Sequence, residues 1–96
     1  VKHGVLGLTR QAAIEYADRG IRVNAICPGP TLSEATAPLL DADPVKRAAA
    51  LSVLNPTAQL VQATDIAQTL IFLCSDAAKM INGQALSLDG GQLAKL

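Results

Sequence analysis

The sequence predicts an α/β fold, part of a doubly wound parallel sheet in the order helix, strand, lid, helix, strand. Three observations point there. An amphipathic stretch over residues 1–19 ends at Gly20 and runs straight into a short, almost wholly apolar strand. A second helix of similar character, from Asp65 to Cys74, leads to a second apolar strand, Gln84–Leu88. Half of the 96 residues are apolar and the mean hydropathy is +0.31, high for so small a domain with so much surface. Two strands joined through a helix make a right-handed parallel crossover. Two strands alone cannot form a parallel sheet covered on both faces. Residues 1–96 are therefore expected to be the closing third of a larger doubly wound domain, incomplete on their own.

Composition narrows the class of function. Eight Lys and Arg balance eight Asp and Glu, with no basic cluster, so no net field recruits nucleic acid or an anionic membrane surface. No apolar run reaches the roughly 18 residues of a membrane span, and nothing resembles a signal peptide. Cys27 and Cys74 lie far apart with no Cys/His metal spacing, so no metal site is expected. Two small unpaired cysteines suit the reducing cytoplasm. With no Trp, one Phe and one Tyr, the core must rest on Val, Ile, Leu and Ala.

The first helix places Val5, Leu8, Ala12 and Tyr16 on one face, with Leu6, Ala13 and Ala17 beside it. Ile14 widens the arc, and only Gln11, Glu15 and Asp18 mark a wet stripe. An arc that wide predicts burial on two sides, against a sheet and against another helix. Gly4 and Gly7 each cost a helix about 1 kcal/mol relative to Ala, which close approach by a neighbour would explain. Gly20 suits the residue just past the helix end.

The strand Ile21–Cys27 stops against Pro28-Gly29-Pro30. A long stretch follows, a lid of about residues 30–63, with short helices near Ser33–Leu40 and near Pro44–Leu51. Pro44 suits a first helical position, and loops of this length are usually binding segments. Thr64 is placed to cap the next helix and Asp65 to favour its positive end. Ile66, Leu70 and Leu73 form that helix's inward stripe, with Phe72 pointing nearly opposite. Gly83 opens the last strand, and Asp89-Gly90-Gly91 closes it.

Together these phrases resemble the carboxyl-terminal part of the short-chain dehydrogenase/reductase family. "KHGVLGLTRQAAIEYADRGIRVNAICPGP" resembles its active-site helix, the next strand and its Pro-Gly cofactor loop. "TDIAQTLIFLCSDAAKMINGQALSLDGG" is similar to its closing helix, its turn before the last strand (here Asn82-Gly83-Gln84) and its Asp-Gly-Gly end. The matched phrases run in the family's order over essentially the whole chain, the lid excepted. The resemblance implies a Rossmann-like domain and NAD or NADP as cofactor. It implies hydride transfer between nicotinamide and a small carbonyl or secondary-alcohol substrate, within a homodimer or homotetramer.

Residue by residue, Lys2 matches the lysine of the family's Tyr-x-x-x-Lys motif, which binds the nicotinamide ribose and lowers the pKa of the tyrosine hydroxyl. An ammonium one helical turn from a phenol favours the phenolate, which lets a group of free pKa about 10 exchange protons near neutrality. Pro28 and Gly29 match the loop that passes the nicotinamide. Pro28 lacks an N–H and should halt the strand ladder, while Gly29 lets backbone pass close to a flat ligand. Thr31 stands where the family commonly has Ile or Val with carboxamide-binding backbone, and Ser33 where it commonly has Thr. Pro30, Leu32, Leu39 and Leu40 are the expected apolar lid residues facing substrate. Asn24 and Asp89 match structural positions whose polar groups bond neighbouring backbone, and His3 matches no catalytic role.

The dinucleotide glycine fingerprint and the family's catalytic serine and tyrosine have no counterpart in this sequence. Tyr16 is too far along the helix from Lys2 to serve. The chain by itself is therefore expected to be inactive. A different class of function also fits: a truncated, non-catalytic binding or scaffold chain that pairs with an intact subunit through its apolar helix faces. A reductase of activated double bonds in the same superfamily is a third reading, which "CPGP" fits less well.

Overall fold

The computed structural model describes residues 2–32, 37–39 and 43–95, and of Lys2, Leu39, Leu54 and Lys95 only the backbone. Three α-helices, α1 (Lys2–Glu15), α2 (Pro44–Leu54) and α3 (Ala63–Leu73), and two strands, β1 (Ala25–Pro28) and β2 (Ala85–Leu88), are joined by short 3-10 turns. The strands form a two-stranded sheet. Its ladder runs Ala25 N–H to Gln84 carbonyl at 2.8 Å, then Gly29 N–H to Leu88 carbonyl at 2.9 Å, which is parallel register. The chain packs as two compact units, residues 1–27 with 67–86, and residues 28–66 with 87–96.

In the first unit, α1 and the 3-10 turn Ala17–Arg19 end in a Schellman motif. Gly20 is left-handed at φ 75, its N–H bonds the Ala17 carbonyl at 3.1 Å, and the Ile21 N–H bonds the Tyr16 carbonyl at 3.3 Å. The face that α1 buries is not the large apolar one. Thr9 and Ala13 are 8% and 3% exposed, whereas Val5 and Leu8 are 49% and 73% exposed. Small side chains let a turn approach the helix closely. Asn82 Nδ2 reaches the Ala13 carbonyl at 3.1 Å, and a Cβ on Gly83 would stand 3.3 Å from that of Ala13. Thr9 returns its hydroxyl to the Val5 carbonyl at 2.7 Å, so its burial leaves no orphaned donor. Within this chain α1 is covered on that one face, and Val5, Leu8 and Ile14 stand exposed. Gly4 and Gly7 likewise meet no neighbour within 4 Å.

The strand expected from Ile21 begins only at Ala25; before it a single backbone bond, Gly83 N–H to the Val23 carbonyl at 2.8 Å, is joined by side-chain bonds. Asn82 Oδ1 accepts from the Val23 N–H at 3.0 Å, and Asn24 Oδ1 from the Gln84 N–H at 3.0 Å. Asn24 Nδ2 donates to the Ile81 carbonyl at 2.9 Å. Beside them the Arg22 guanidinium donates to the carbonyls of Leu73 at 2.7 Å, at the end of α3, and of Ile81 at 3.2 Å. A cation at a helix carboxyl end meets both the unpaired carbonyls and the negative pole of the dipole.

In the second unit, α2 starts with Pro44 at its first turn and ends at Asn55, whose N–H bonds the Leu51 carbonyl at 3.3 Å. Its core is small: Leu51, Leu60 and Val61 are buried, and so are the polar Asn55 and Asp89. The start of α3 corrects another expectation. The helix begins at Ala63, so Thr64 lies inside the first turn and is not the cap. Asp65 supplies the cap, its Oδ2 accepting from the Gln62 N–H at 2.8 Å, the reciprocal half of a capping box. Of the predicted inward stripe of α3, Leu73 is buried but Leu70 is 50% exposed, slightly more than Phe72 at 45%.

Candidate functional site

The loop Pro28–Leu32 leaves the carboxyl end of β1, where open α/β sheets place their ligands. Pro28 is the last strand residue rather than the stop, since the ladder takes one further bond, from the Gly29 N–H to Leu88. The proline lacks only the donor that this register does not use. Gly29 is required by the chain itself. A Cβ there would lie 2.8 Å from the Asp89 Cβ and 3.0 Å from its Cα. Asp89 is buried because its carboxylate ties its own turn, Oδ1 accepting from the Gly91 N–H at 3.0 Å and Oδ2 from the Leu93 N–H at 3.2 Å.

Beyond Gly29 the loop is clamped by a residue that sequence reasoning passed over. Val61 forms an isolated parallel bridge with Thr31: its N–H bonds the Pro30 carbonyl and its carbonyl accepts from the Leu32 N–H, both at 2.8 Å. Both bonds use the neighbours of Thr31, so by the alternation of a parallel ladder the main-chain groups of Thr31 itself face away from Val61. The Thr31 hydroxyl donates to the Gly29 carbonyl at 2.9 Å. A polar side chain at this position therefore stiffens the loop.

The structure thus brings Pro28, Gly29, Pro30, Thr31 and Leu32 together on one short segment, with Leu32 39% exposed. Ser33 and Leu40 lie outside the described residues, and so does the side chain of Leu39, whose backbone closes the 3-10 turn Ala37–Leu39. Lys2 opens α1, and its side chain too lies outside the described part. Tyr16 follows the far end of α1, roughly 20 Å along the axis from Lys2 at 1.5 Å per residue. It is half-buried with the Arg19 guanidinium 5.4 Å from its ring centroid.

One other feature lies elsewhere. In the first unit a cavity of about 410 Å³ is lined by Arg22, Val23, Asn24, Ile26, Leu70 and Cys74, among others. Among the described residues no three His, Cys, Asp or Glu side chains gather as a metal ion would need, and no helix is long and apolar enough to cross a membrane.

With that geometry in place, comparison with known proteins is decisive. The sequence profile described as enoyl-(acyl carrier protein) reductase matches residues 1–92. Levodione reductase of Leifsonia aquatica is 41% identical over 97 residues, covering 97% of this chain. The chain belongs to the short-chain dehydrogenase/reductase family. The 3-oxoacyl-[acyl-carrier-protein] reductase FabG of Staphylococcus aureus is 47% identical over 90 residues, 94% of this chain. This short-chain dehydrogenase/reductase chain spans 36% and 35% of those two relatives' lengths.

Solved structures agree on the architecture. A 4-hydroxyisoleucine dehydrogenase complexed with NADH superposes with TM-score 0.82 at 31% identity, covering 97% of this chain and 37% of its own. ElxO, solved with NADP bound, superposes with TM-score 0.79 at 36% identity, over 97% of this chain and 37% of its own. The α/β class, the parallel sheet and its place within a Rossmann-like domain are as the sequence predicted.

Proposed function

We propose that this chain serves an NAD(P)-dependent oxidoreductase that moves hydride between nicotinamide and a carbonyl or secondary-alcohol substrate. The observation that carries the reading is the Pro28–Leu32 loop, held at the carboxyl end of β1 by Leu88 on one side and Val61 on the other. A ligand carboxamide takes one donor and one acceptor, the two group types that the backbone of such a loop carries. When bound, the cofactor supplies or accepts the hydride. This chain's own residues bind and orient it: Lys2 at its ribose, Gly29 and Thr31 along the ring, Ser33 by its hydroxyl. Lys2 also holds the phenol of a tyrosine one turn before it near its anionic form, so that the phenol exchanges its proton at neutral pH.

The named relatives support the carbonyl–alcohol direction. A dione reductase, a cyclohexanol dehydrogenase and a 3-oxoacyl reductase all take their names from such pairs. The profile's own description favours reduction of an activated double bond as the second reading. The segment from Ser33 to Asn55 closes over substrate, and Pro30 and Leu32 before it, with Leu39 and Leu40 in it, supply the apolar wall. The working assembly is a homodimer or homotetramer in the cytoplasm. The scaffold reading draws on the exposed Val5, Leu8 and Ile14, 49%, 73% and 77% accessible, which suit pairing with an intact subunit.

The deciding experiment joins this chain to the upstream two-thirds of the S. aureus FabG and follows nicotinamide absorbance with ketone and enoyl substrates. Ketone reduction supports the proposal, and enoyl reduction alone supports the second reading. A folded chimera that neither binds nor turns over NAD(P)H sinks both and leaves the scaffold role, which a pull-down with intact FabG then tests.

A further inference from the structure

Asn55 is the one large side chain that is fully buried among the described residues, at 0% exposure, and it is polar. It ends α2 and opens the turn Asn55-Pro56-Thr57-Ala58-Gln59. Its side chain serves that turn with every group it has. Nδ2 donates to the Gln59 carbonyl at 2.8 Å, while Oδ1 accepts from the Thr57 hydroxyl at 2.6 Å and from the Gln59 N–H at 3.4 Å. The turn also presses on the turn after β2. A Cβ on Gly90 would stand 2.7 Å from Asn55 Oδ1, and one on Gly91 would stand 3.3 Å from the Pro56 ring. Two residues beyond Gln59 comes Val61, whose backbone holds Pro30 and Leu32.

We propose that Asn55 is a positioning residue for the Pro28–Leu32 loop, acting through Gln59 and Val61. The inference rests on the functional reading above only for what the loop binds. The physical argument is one of register. Val61 can meet Pro30 and Leu32 at 2.8 Å only if the strand-like residues Leu60 and Val61 leave the turn at a fixed point. A five-residue turn containing a left-handed Ala58, at φ 54, does not fix that point by backbone preference. The buried amide does, because it grips both the N–H and the carbonyl of Gln59. A carboxamide carries its donor and its acceptor on separate atoms, so it can hold an N–H and a carbonyl at once. Leaving either Gln59 group unpaired in the interior favours an opened turn. Asn55 thereby fixes the point at which Val61 meets the loop.

The test is hydrogen exchange of individual amides in the 96-residue chain, which needs no cofactor. Asn55→Ala should speed exchange at Val61 and Leu32 by roughly tenfold or more, the effect of one lost buried partner on a local opening. The Gly83 and Ala25 amides of the first unit should not change. Thr57→Val removes a single donor while keeping shape, and gives the same pattern at smaller amplitude should Asn55→Ala fail to fold. Asn55→Asp supplies the control that packing alone would not move. Ionised, the new carboxyl turns an oxygen toward the Gln59 carbonyl, and burial and that carbonyl both raise its pKa. Protonated, it donates there as the amide did. Protection at Val61 should be lost near neutral pH and return as pH falls, with wild type at each pH controlling for Asp89, the titratable group on the facing turn. Unchanged protection at Val61 and Leu32 in Asn55→Ala or Thr57→Val, an equal loss at Gly83 and Ala25, or a pH-independent Asn55→Asp would each overturn the proposal. Any of these leaves the oxidoreductase reading untouched, just as an inactive chimera leaves this one.

Discussion

Gly29 and Asp89 stand backbone to backbone at the carboxyl ends of the two strands, so close that a Cβ on the glycine would be 2.8 Å from the aspartate's own. Both sit on rigid supports: Gly29 is bonded to Leu88, and Asp89 closes a turn with two bonds from its carboxylate. Neither can yield without breaking one of these. Gly29→Ala should therefore cost about 1–3 kcal/mol of stability, the usual penalty for a methyl forced into a filled site. Urea unfolding measures it. A loss below a few tenths would mean that the two turns separate freely.

Ala58 carries a φ of 54, a left-handed conformation that costs a residue with a β-carbon about 1–2 kcal/mol. Glycine avoids that cost but gives back part of it through a freer unfolded chain. Ala58→Gly should stabilise the chain by a net amount of about 0.5–1 kcal/mol. Ala58→Val, with a branched β-carbon in the same conformation, should destabilise it. Thermal unfolding of the pair checks both signs, and the same sign for both would contradict the conformation.

Lys2 is expected to act through charge. In the chimera with the upstream part of FabG, Lys2→Ala should lower turnover roughly 10²-fold or more, as expected for loss of an acid–base partner. Without the ammonium the phenolate is less favoured, so the phenol's pKa rises and the activity profile moves to higher pH. Full turnover with an unmoved profile would remove Lys2 from the site.

Phe72 is 45% exposed and stands about 100° around α3 from Leu73, which is 8% exposed. A charge at position 72 should leave each subunit folded. If this face pairs in the proposed assembly, Phe72→Glu splits a tetramer into smaller folded species. Light scattering and circular dichroism together decide: an unchanged tetramer, or lost helicity, counts against the placement.

Local signals were the legible ones. Gly20 past α1 and Pro44 at the start of α2 read correctly, since each answers to its own backbone geometry. The Pro28–Leu32 loop was legible because Pro-Gly-Pro after an apolar strand has few other readings. What failed needed knowledge of partners. Apolarity pointed to Val5 and Leu8, which this chain leaves exposed, while it buries Thr9 and Ala13, whose small side chains admit the Asn82 turn. Thr64 had cap chemistry, but Asp65 was better placed to reach the Gln62 N–H. Asn55 and Val61 were invisible as site residues. A buried asparagine looks like a loop residue until its three bonds are seen, and a valine whose backbone does the clamping leaves no trace in its side chain.

The pairing of β1 with β2 also carries a cost in time. The bonds that align them, such as Val23 to Asn82 and Asn24 to Gln84, span 59 and 60 residues. At about 5–20 residues per second, a ribosome that has released β1 needs about 3–12 s to make its partner. During that interval Ile26 and Cys27 belong to a strand with an open edge. The helices on either side form in microseconds, but closing the sheet waits on the slow, non-local step. Birth of the Pro28–Leu32 loop is therefore late. Gly29 acquires its bond to Leu88 only after residue 88 has been synthesised, so a nascent chain stalled before it would have a formed α1 and an unshaped loop.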